Sequence, residues 1–325
     1  MNDSGLLEWQ QKFIQHLENQ GKSPNTLKNY RIDLVAFNKF LLQKSKNVSL
    51  NGFNEQHAHE FGVFLDQVYP SSNSRRRRLQ AVRIFFDFLV EHGGFANNPL
   101  KKIEISPKFL DTPHPIRFED FYRVTEEILK EIDQNNEESH RLERLIHFRN
   151  LIIFYLIYGS GLKVSDFEQL QMSHISYAKN SLRILVIPRK RDPYTIPGLE
   201  LFIDLFKIYK TELKRAYKDY GLETDHIIFN ANSRKIIDGG LSARGIELIF
   251  KKYAKLFQFE DFTAKNLRQA CVVRWIAQGE RESLIKEWLG VAPSYELKGY
   301  LDYYQLKKKE TFYPSQWQIE IKAKK

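Results

Sequence analysis

Near the C-terminus, Lys265-Asn266-Leu267-Arg268 opens an apolar stretch, Leu289-Gly290-Val291 follows, and Tyr300 stands nine residues past Val291. Upstream, Gly161-Leu162-Lys163-Val164-Ser165-Asp166 carries a further lysine, and Pro188-Arg189-Lys190-Arg191-Asp192-Pro193 is a basic turn. One chemistry asks for such a set. Cutting a phosphodiester without a metal requires a nucleophile that reaches phosphorus, cations on the non-bridging oxygens and an acid for the leaving oxygen. Arginine suits the second task because its planar fork donates two parallel hydrogen bonds to phosphate. Lysine, a point charge with a shiftable pKa, suits acid work. A cluster of basic residues around one tyrosine is what this chemistry needs.

Composition agrees with a polyanionic partner. The 325 residues carry 50 Lys and Arg against 40 Asp and Glu, a net charge of +10. Many basic proteins never touch nucleic acid, so placement of the charge matters more than its sum. With 42% hydrophobic and 14% aromatic residues, the chain is foldable and long enough for two domains. Its single cysteine, Cys271, excludes an intrachain disulfide and fits a reducing, cytoplasmic location. Cys271 lies among Ala270, Val272 and Val273 and reads as an inert buried thiol. The nine histidines, His147 and His174 among them, lack zinc-type pairing, so no metal is expected. The N-terminus has no signal-peptide pattern, and the apolar run near 151–158 is too short to span a bilayer.

The elements that must position these residues fall into two groups. In the first hundred residues, Leu7, Phe13, Ile14 and Leu17 recur at helical spacing up to Gly21. Ser23-Pro24 then opens a second helix as N-cap and first turn. Its apolar stripe is Leu27, Tyr30, Leu34, Phe37, Phe40 and Leu41. A third helix spans 55–68, and a fourth starts at Ser74-Arg75-Arg76-Arg77-Arg78 and continues through Leu79, Val82, Phe85, Phe86 and Leu89. Four helices without strand character predict a small bundle over 1–105.

Pro107, Pro113 and Pro115 mark 106–115 as an extended linker, and a second domain is expected over 116–325. Helices are expected at 118–133, 143–158, 198–220, 243–257, 264–278 and 281–289. Strands at 181–187 and 194–196 frame the basic hairpin. The fold class that follows is mainly α with a small β-sheet: a helical bundle, then a mixed α/β domain.

Two N-terminal patterns and three C-terminal ones together resemble the tyrosine recombinases, the phage-integrase superfamily. Thr26 to Leu34 matches the "T-x-x-x-Y-x-x-D-L" helix of its SAM-like core-binding domain, and Arg77 to Phe86 matches "R-x-L-s-x-l-R-x-F". Tyr158 to Asp166 resembles "y-T-G-L-R-i-s-E", with Lys163 in place of the phosphate-gripping arginine and Asp166 in place of glutamate. Lys265 to Arg268 resembles "H-x-L-R", with Lys265 a tolerated replacement and Gln269 where histidine is common. Leu289-Gly290-Val291 resembles "L-G-H", and Val291 lacks the donor that histidine or tryptophan supplies.

The resemblance implies that Tyr300 is the nucleophile and that Arg268, Lys265 and Lys163 stand at the phosphate. It also implies that the hairpin carries the catalytic lysine. Counting back from Pro197 puts Arg189 in that slot and a one-residue shift puts Lys190 there. Lys190 is preferred because arginine almost never donates its proton at neutral pH. Tyr295, Tyr303 and Tyr304 compete with Tyr300 on composition, and register selects Tyr300. A run such as Arg75, Arg76, Arg77 and Arg78 is usually a solvated helix start. Because it opposes the helix dipole and falls on the family's DNA-contacting helix, it is assigned to duplex phosphates together with Arg189.

The expected activity is site-specific strand exchange on double-stranded DNA through a 3′-phosphotyrosyl link. The link conserves the phosphoester energy, so neither ATP nor another cofactor is required. The resemblance further implies a homo- or hetero-tetramer on paired DNA sites. Lys163 and Val291 motivate the alternative of a catalytically impaired relative that organises DNA or modulates an active recombinase. A helical scaffold whose basicity is incidental is a third reading.

Overall fold

The computed structural model describes residues 4–43, 50–103, 112–135, 138–178, 181–188 and 192–307. The chain divides into two units, Met1–Leu110 and Asp111–Lys325.

In the first unit, four helices form from the stripes described above: α1 (Ser4–Asn19), α2 (Pro24–Gln43), α3 (Glu55–Val68) and α4 (Ser72–Glu91). Ser23 Oγ accepts the Thr26 N–H at 3.2 Å, so the expected N-cap of α2 is present. At α3, Asn54 Oδ1 accepts the His57 N–H while His57 Nδ1 accepts the Asn54 N–H, a reciprocal cap. The core is built largely of phenylalanine. Phe37 is fully buried and meets Phe53, Phe61 and Phe86 edge-on at 5.2, 5.4 and 5.9 Å.

The two N-terminal motifs have a common physical basis here. Asp33 of the first motif is 2% exposed, and its carboxylate accepts a 2.8 Å hydrogen bond from Arg77, the first arginine of the second. Arg83, the second arginine, donates to the Leu100 carbonyl through Nε and Nη2 at 3.1 and 2.8 Å and also to Ile103. One arginine thus neutralises a buried carboxylate, and the other closes the turn after α4.

The second unit is organised around α6 (Arg141–Ser160), preceded by α5 (Phe118–Gln134). Every residue of α6 from Phe148 to Ser160 is buried, which explains why its apolar run lacks a polar face. Beside it lies an antiparallel sheet in the order β1-β2-β3: Ile175–Ala178, Ser181–Val186 and Tyr194–Gly198. Ile175, Ile184 and Ile196 share one register row and face the core. Helix α7 (Ile203–Asp219), the short ribbon β4 (Phe229–Ala231) and β5 (Ile236–Gly240), and α8 (Ala243–Phe257) follow. Helices α9 (Ala264–Ala277), α10 (Glu282–Leu289) and α11 (Lys298–Leu306) complete the described chain. The fold is mainly α with small antiparallel sheets, as expected. Three short strands (β1, β4 and β5) and α11 were not foreseen. No described helix is long and apolar enough to cross a membrane.

Residues 112–116 pack as a strap along α9: the Ile116 N–H donates to the Asn266 carbonyl at 3.2 Å and the His114 N–H to Gln269 Oε1 at 2.9 Å. Three helices of this unit are also stitched by one carboxylate. Glu131 of α5 accepts from Lys252 Nζ at 2.7 Å and Tyr253 Oη at 2.5 Å on α8, and lies 2.9 Å from His147 Nδ1 on α6. Burial acts to raise its pKa, but the groups His147, Lys252 and Tyr253 outweigh burial and hold the carboxyl at about 2.

Two stability predictions follow from these contacts. Glu131 is held below its ordinary value of 4.5, so its contribution is full above pH 4.5 and disappears as pH falls towards 2. Glu131→Gln should therefore cost about 2–3 kcal/mol at pH 7 and flatten the acid limb of urea-unfolding free energy. An acid limb as steep as wild type would contradict the assignment. Arg77→Leu leaves the buried Asp33 carboxylate without its hydrogen-bonded cation. Because Arg77 is 47% exposed, the expected loss is about 1–2 kcal/mol rather than that of a fully buried pair. Adding Asp33→Asn should recover part of it in thermal unfolding.

Candidate active site

The site begins where α6 ends. Gly161 caps the helix in the left-handed conformation at φ +62°, and its N–H donates to the Ile157 carbonyl at 2.9 Å. A β-carbon at this position would lie 2.9 Å from Trp275 Cη2, so both the dihedral and the close approach of α9 require glycine. The turn sends the Gly161 carbonyl towards α9, where Arg268 Nε donates to it at 2.5 Å. Arg268 Nη2 also donates to the Leu289 carbonyl at the end of α10 at 3.1 Å. Two of the guanidinium's five donors are thereby committed to carbonyls, which fixes its plane. Burial pushes the Arg268 pKa down, while Cys271, Tyr300, Tyr194 and Asp166 act in the opposite direction. The charge is kept in a partly dry place where it acts strongly.

Thr263 caps α9 by accepting the Asn266 N–H at 3.2 Å, which sets the phase of the helix. From that phase Lys265, Arg268 and Gln269 fall at i, i+3 and i+4 on one face. Lys265 is exposed, Arg268 half-buried and Gln269 buried. Tyr300, in the first turn of α11, is half-buried beside them. Its phenol hydrogen-bonds to Gln269 and Tyr295 and interacts with Arg268. Burial pushes the phenol up to about 12, with Tyr295 adding to the rise and Arg268 and Gln269 opposing it. Tyr295 therefore supports the Tyr300 phenol.

Lys163 opens the turn after Gly161. Its N–H donates to Asp166 Oδ2 at 3.1 Å, and the Asp166 N–H donates back to the Lys163 carbonyl at 2.9 Å. Lys163, Ser165, Asp166 and His174 line an open cleft of about 500 Å³ whose opposite edge is Ile187 and Pro188. The basic hairpin leaves the sheet from that edge. Arg189 and Lys190 lie outside the described residues.

The structure thus brings Lys163, Asp166, Arg268 and Tyr300 into one region, with Lys265 at the exposed end of the same α9 face. Val291 packs half-buried against the core and its backbone N–H donates to the Lys286 carbonyl at 3.1 Å; its side chain supplies no donor. Sequence reasoning missed Tyr194, the first residue of β3, which interacts with Arg268. It also treated Gln269 only as a departure from histidine. For Gln269 a signal existed: a polar residue one helical turn past Lys265, on an otherwise buried face.

The arginine run at α4 has partners inside its own unit. Arg75 Nη1 donates to the Tyr69 and Pro70 carbonyls at 2.9 and 3.0 Å, and Arg75 pairs with Asp66. Arg77 holds Asp33, and the Arg78 guanidinium lies 3.7 Å over the Tyr69 ring while donating to the Ser74 carbonyl. These contacts account for arginines that the helix dipole disfavours.

Comparisons with known proteins agree with this geometry. Residues 11–93 match the family model described as phage integrase, N-terminal SAM-like domain. Over 299 residues the chain is 25% identical to tyrosine recombinase XerC of Chlamydia muridarum (strain MoPn / Nigg), covering 86% of this chain and 88% of that one. The XerH site-specific recombinase, solved on palindromic difH substrate in a post-cleavage complex, is similar with a TM-score of 0.65. It is 16% identical, over 89% of this chain and 79% of that one. A lambda integrase tetramer bound to a Holliday junction gives 0.61 at 16% identity, over 90% and 79%. The structural likenesses establish the fold, and the sequence matches, which run through both units, support a tyrosine recombinase of the phage-integrase type.

Proposed function

We propose that this protein is a site-specific DNA recombinase that cuts and rejoins duplex strands through Tyr300. The observation that carries the reading is the half-buried Tyr300 phenol held beside the Arg268 guanidinium, whose plane is fixed by two backbone carbonyls. Tyr300 Oη would bond to phosphorus as the bond from phosphorus to the 5′ oxygen breaks. The phenol gives up its proton and the departing oxygen gains one, leaving a 3′-phosphotyrosyl link and a 5′ hydroxyl. Arg268 neutralises the non-bridging oxygens with the donors not used on carbonyls, and Lys163 and Lys265 add positive charge. Lys190 of the hairpin is the proposed acid for the 5′ oxygen. Attack by a second strand's hydroxyl reverses the step without ATP or metal.

The lambda integrase tetramer on a Holliday junction supports an assembly of several copies on paired DNA sites, and four is the proposed number. The XerH complex, solved after cleavage, supports duplex DNA as substrate. Arg189 and the exposed part of the Arg75 to Arg78 run are proposed phosphate contacts, and the cytoplasm is the proposed location.

The test uses duplexes that the protein selects from a random-sequence pool, nicked so that the cleaved fragment diffuses away. Wild type should form a covalent adduct that survives denaturation, and Tyr300→Phe should form none while still binding. Lys163→Arg restores a two-pronged phosphate grip and should speed adduct formation by about tenfold or more. Binding by wild type without any adduct would refute the assignment.

A further inference from the structure

Gln269 has no role in the chemistry above, yet it is buried at the centre of the site, 8% exposed, on the same face of α9 as Lys265 and Arg268. Its amide is oriented without ambiguity. The His114 backbone N–H can only donate, and it points at Gln269 Oε1 from 2.9 Å. The amide nitrogen is therefore the end left to face the Tyr300 phenol, whose charged form Gln269 favours. A second observation ties the same strap to the helix that carries the tyrosine. Pro113 lies against Gly299, where a β-carbon would sit 3.4 Å from Pro113 Cδ. The strap is also bound to α9 through the Ile116 N–H and the Asn266 carbonyl.

We propose that Gln269 is a positioning residue for the Tyr300 nucleophile, linking its phenolic oxygen to the backbone of the strap at His114. The inference rests on the reading that Tyr300 attacks phosphorus. A glutamine is suited to this because one side chain accepts from a backbone that cannot rotate away and donates to the nucleophile. The donor persists when the phenol loses its proton, so it favours the charged oxygen while holding it in place. The strap provides the reference point: displacing it would move the amide and with it the phenol. Small displacements of a nucleophile are costly, since a misplacement of about 1 Å can slow a reaction roughly a hundredfold.

The experiment measures single-turnover adduct formation against pH on the selected nicked duplex, with melting temperature recorded for each variant. Gln269→Glu keeps the acceptor for His114 and replaces the amide donor by a carboxylate oxygen. It should slow the adduct step by about tenfold or more and displace the rise of rate with pH to higher pH, because charge on the phenol is now opposed. Gln269→His, whose ring can accept on one nitrogen and donate on the other, should recover most of the rate and the wild-type profile. His114→Pro removes the strap's donor while leaving every side chain of the site in place, and should slow the step without abolishing it. If wild type forms adduct and Gln269→Glu does so at an unchanged rate with an unchanged pH profile, the inference is overturned and the recombinase reading stands. If Gln269→Glu fails to fold, an unchanged rate in His114→Pro overturns it equally. If wild type forms no adduct, the recombinase reading fails and the inference fails with it.

Discussion

The site depends on one guanidinium. Arg268 reaches from α9 to the carbonyl of Gly161, the cap of α6, and to the last carbonyl of α10, so that one side chain ties three helices together. Hydrogen bonds from a charged donor are each worth about 1.5–3 kcal/mol, roughly twice a neutral pair. Here they also repay the burial that pushes the Arg268 pKa down. Gly161 makes the first bond possible. Only a residue at home at φ +62° with no β-carbon can end α6 there and still let Trp275 pack over it. The cation proposed to meet the phosphate is in this way also a structural bolt, with two of its donors already on carbonyls.

Much of this was legible in the sequence, and the parts that were not share a physical cause. The α2 stripe and the cap at Ser23 are local signals, and both were readable. The register of Tyr300 was also readable, because α10, Gly290 and α11 leave little freedom in the spacing from Val291. The short strands β1, β4 and β5 have no such signal. They are three to five residues long and are held by partners across the sheet rather than by their own pattern. The arginine run at α4 was only partly legible for a related reason. Its unfavourable place at a helix start suggested an external anion, whereas Asp33, forty-four residues earlier, supplies a buried carboxylate for Arg77. A contact of that range is invisible to local reasoning, although both partners stood in the two motifs that carried the family resemblance.

The departures at Lys163 and Val291 acquire a structural setting. Lys163 is anchored through its backbone, since Asp166 accepts its N–H and reaches towards Arg268 electrostatically as well. Replacing arginine by lysine here changes the ammonium end and leaves the turn intact. Val291 is likewise a packed residue of the core, so the position has exchanged a donor for apolar contact without loosening α10. In the proposed reaction both changes subtract from phosphate recognition, and neither disturbs the frame.

That subtraction shifts the burden of orientation. A lysine ammonium attracts phosphate without fixing its rotation, because it is a point charge with three equivalent donors. Valine fixes nothing. In the proposed reaction Arg268 is then the residue whose planar fork defines how the phosphate lies, and its plane is set by the Gly161 and Leu289 carbonyls. The proposed nucleophile, Tyr300, has separate neighbours in Gln269 and Tyr295. A site with fewer phosphate donors gains more from each constraint on the attacking atom, because in-line geometry has to be imposed from one end when it is weakly imposed from the other. Burial raises the phenol to about 12, so in the proposed reaction the cations at the phosphate must supply the driving force for its ionisation. Positioning and charge are therefore divided here between different residues, and the weaker phosphate grip is tolerable to the extent that the tyrosine is already aimed.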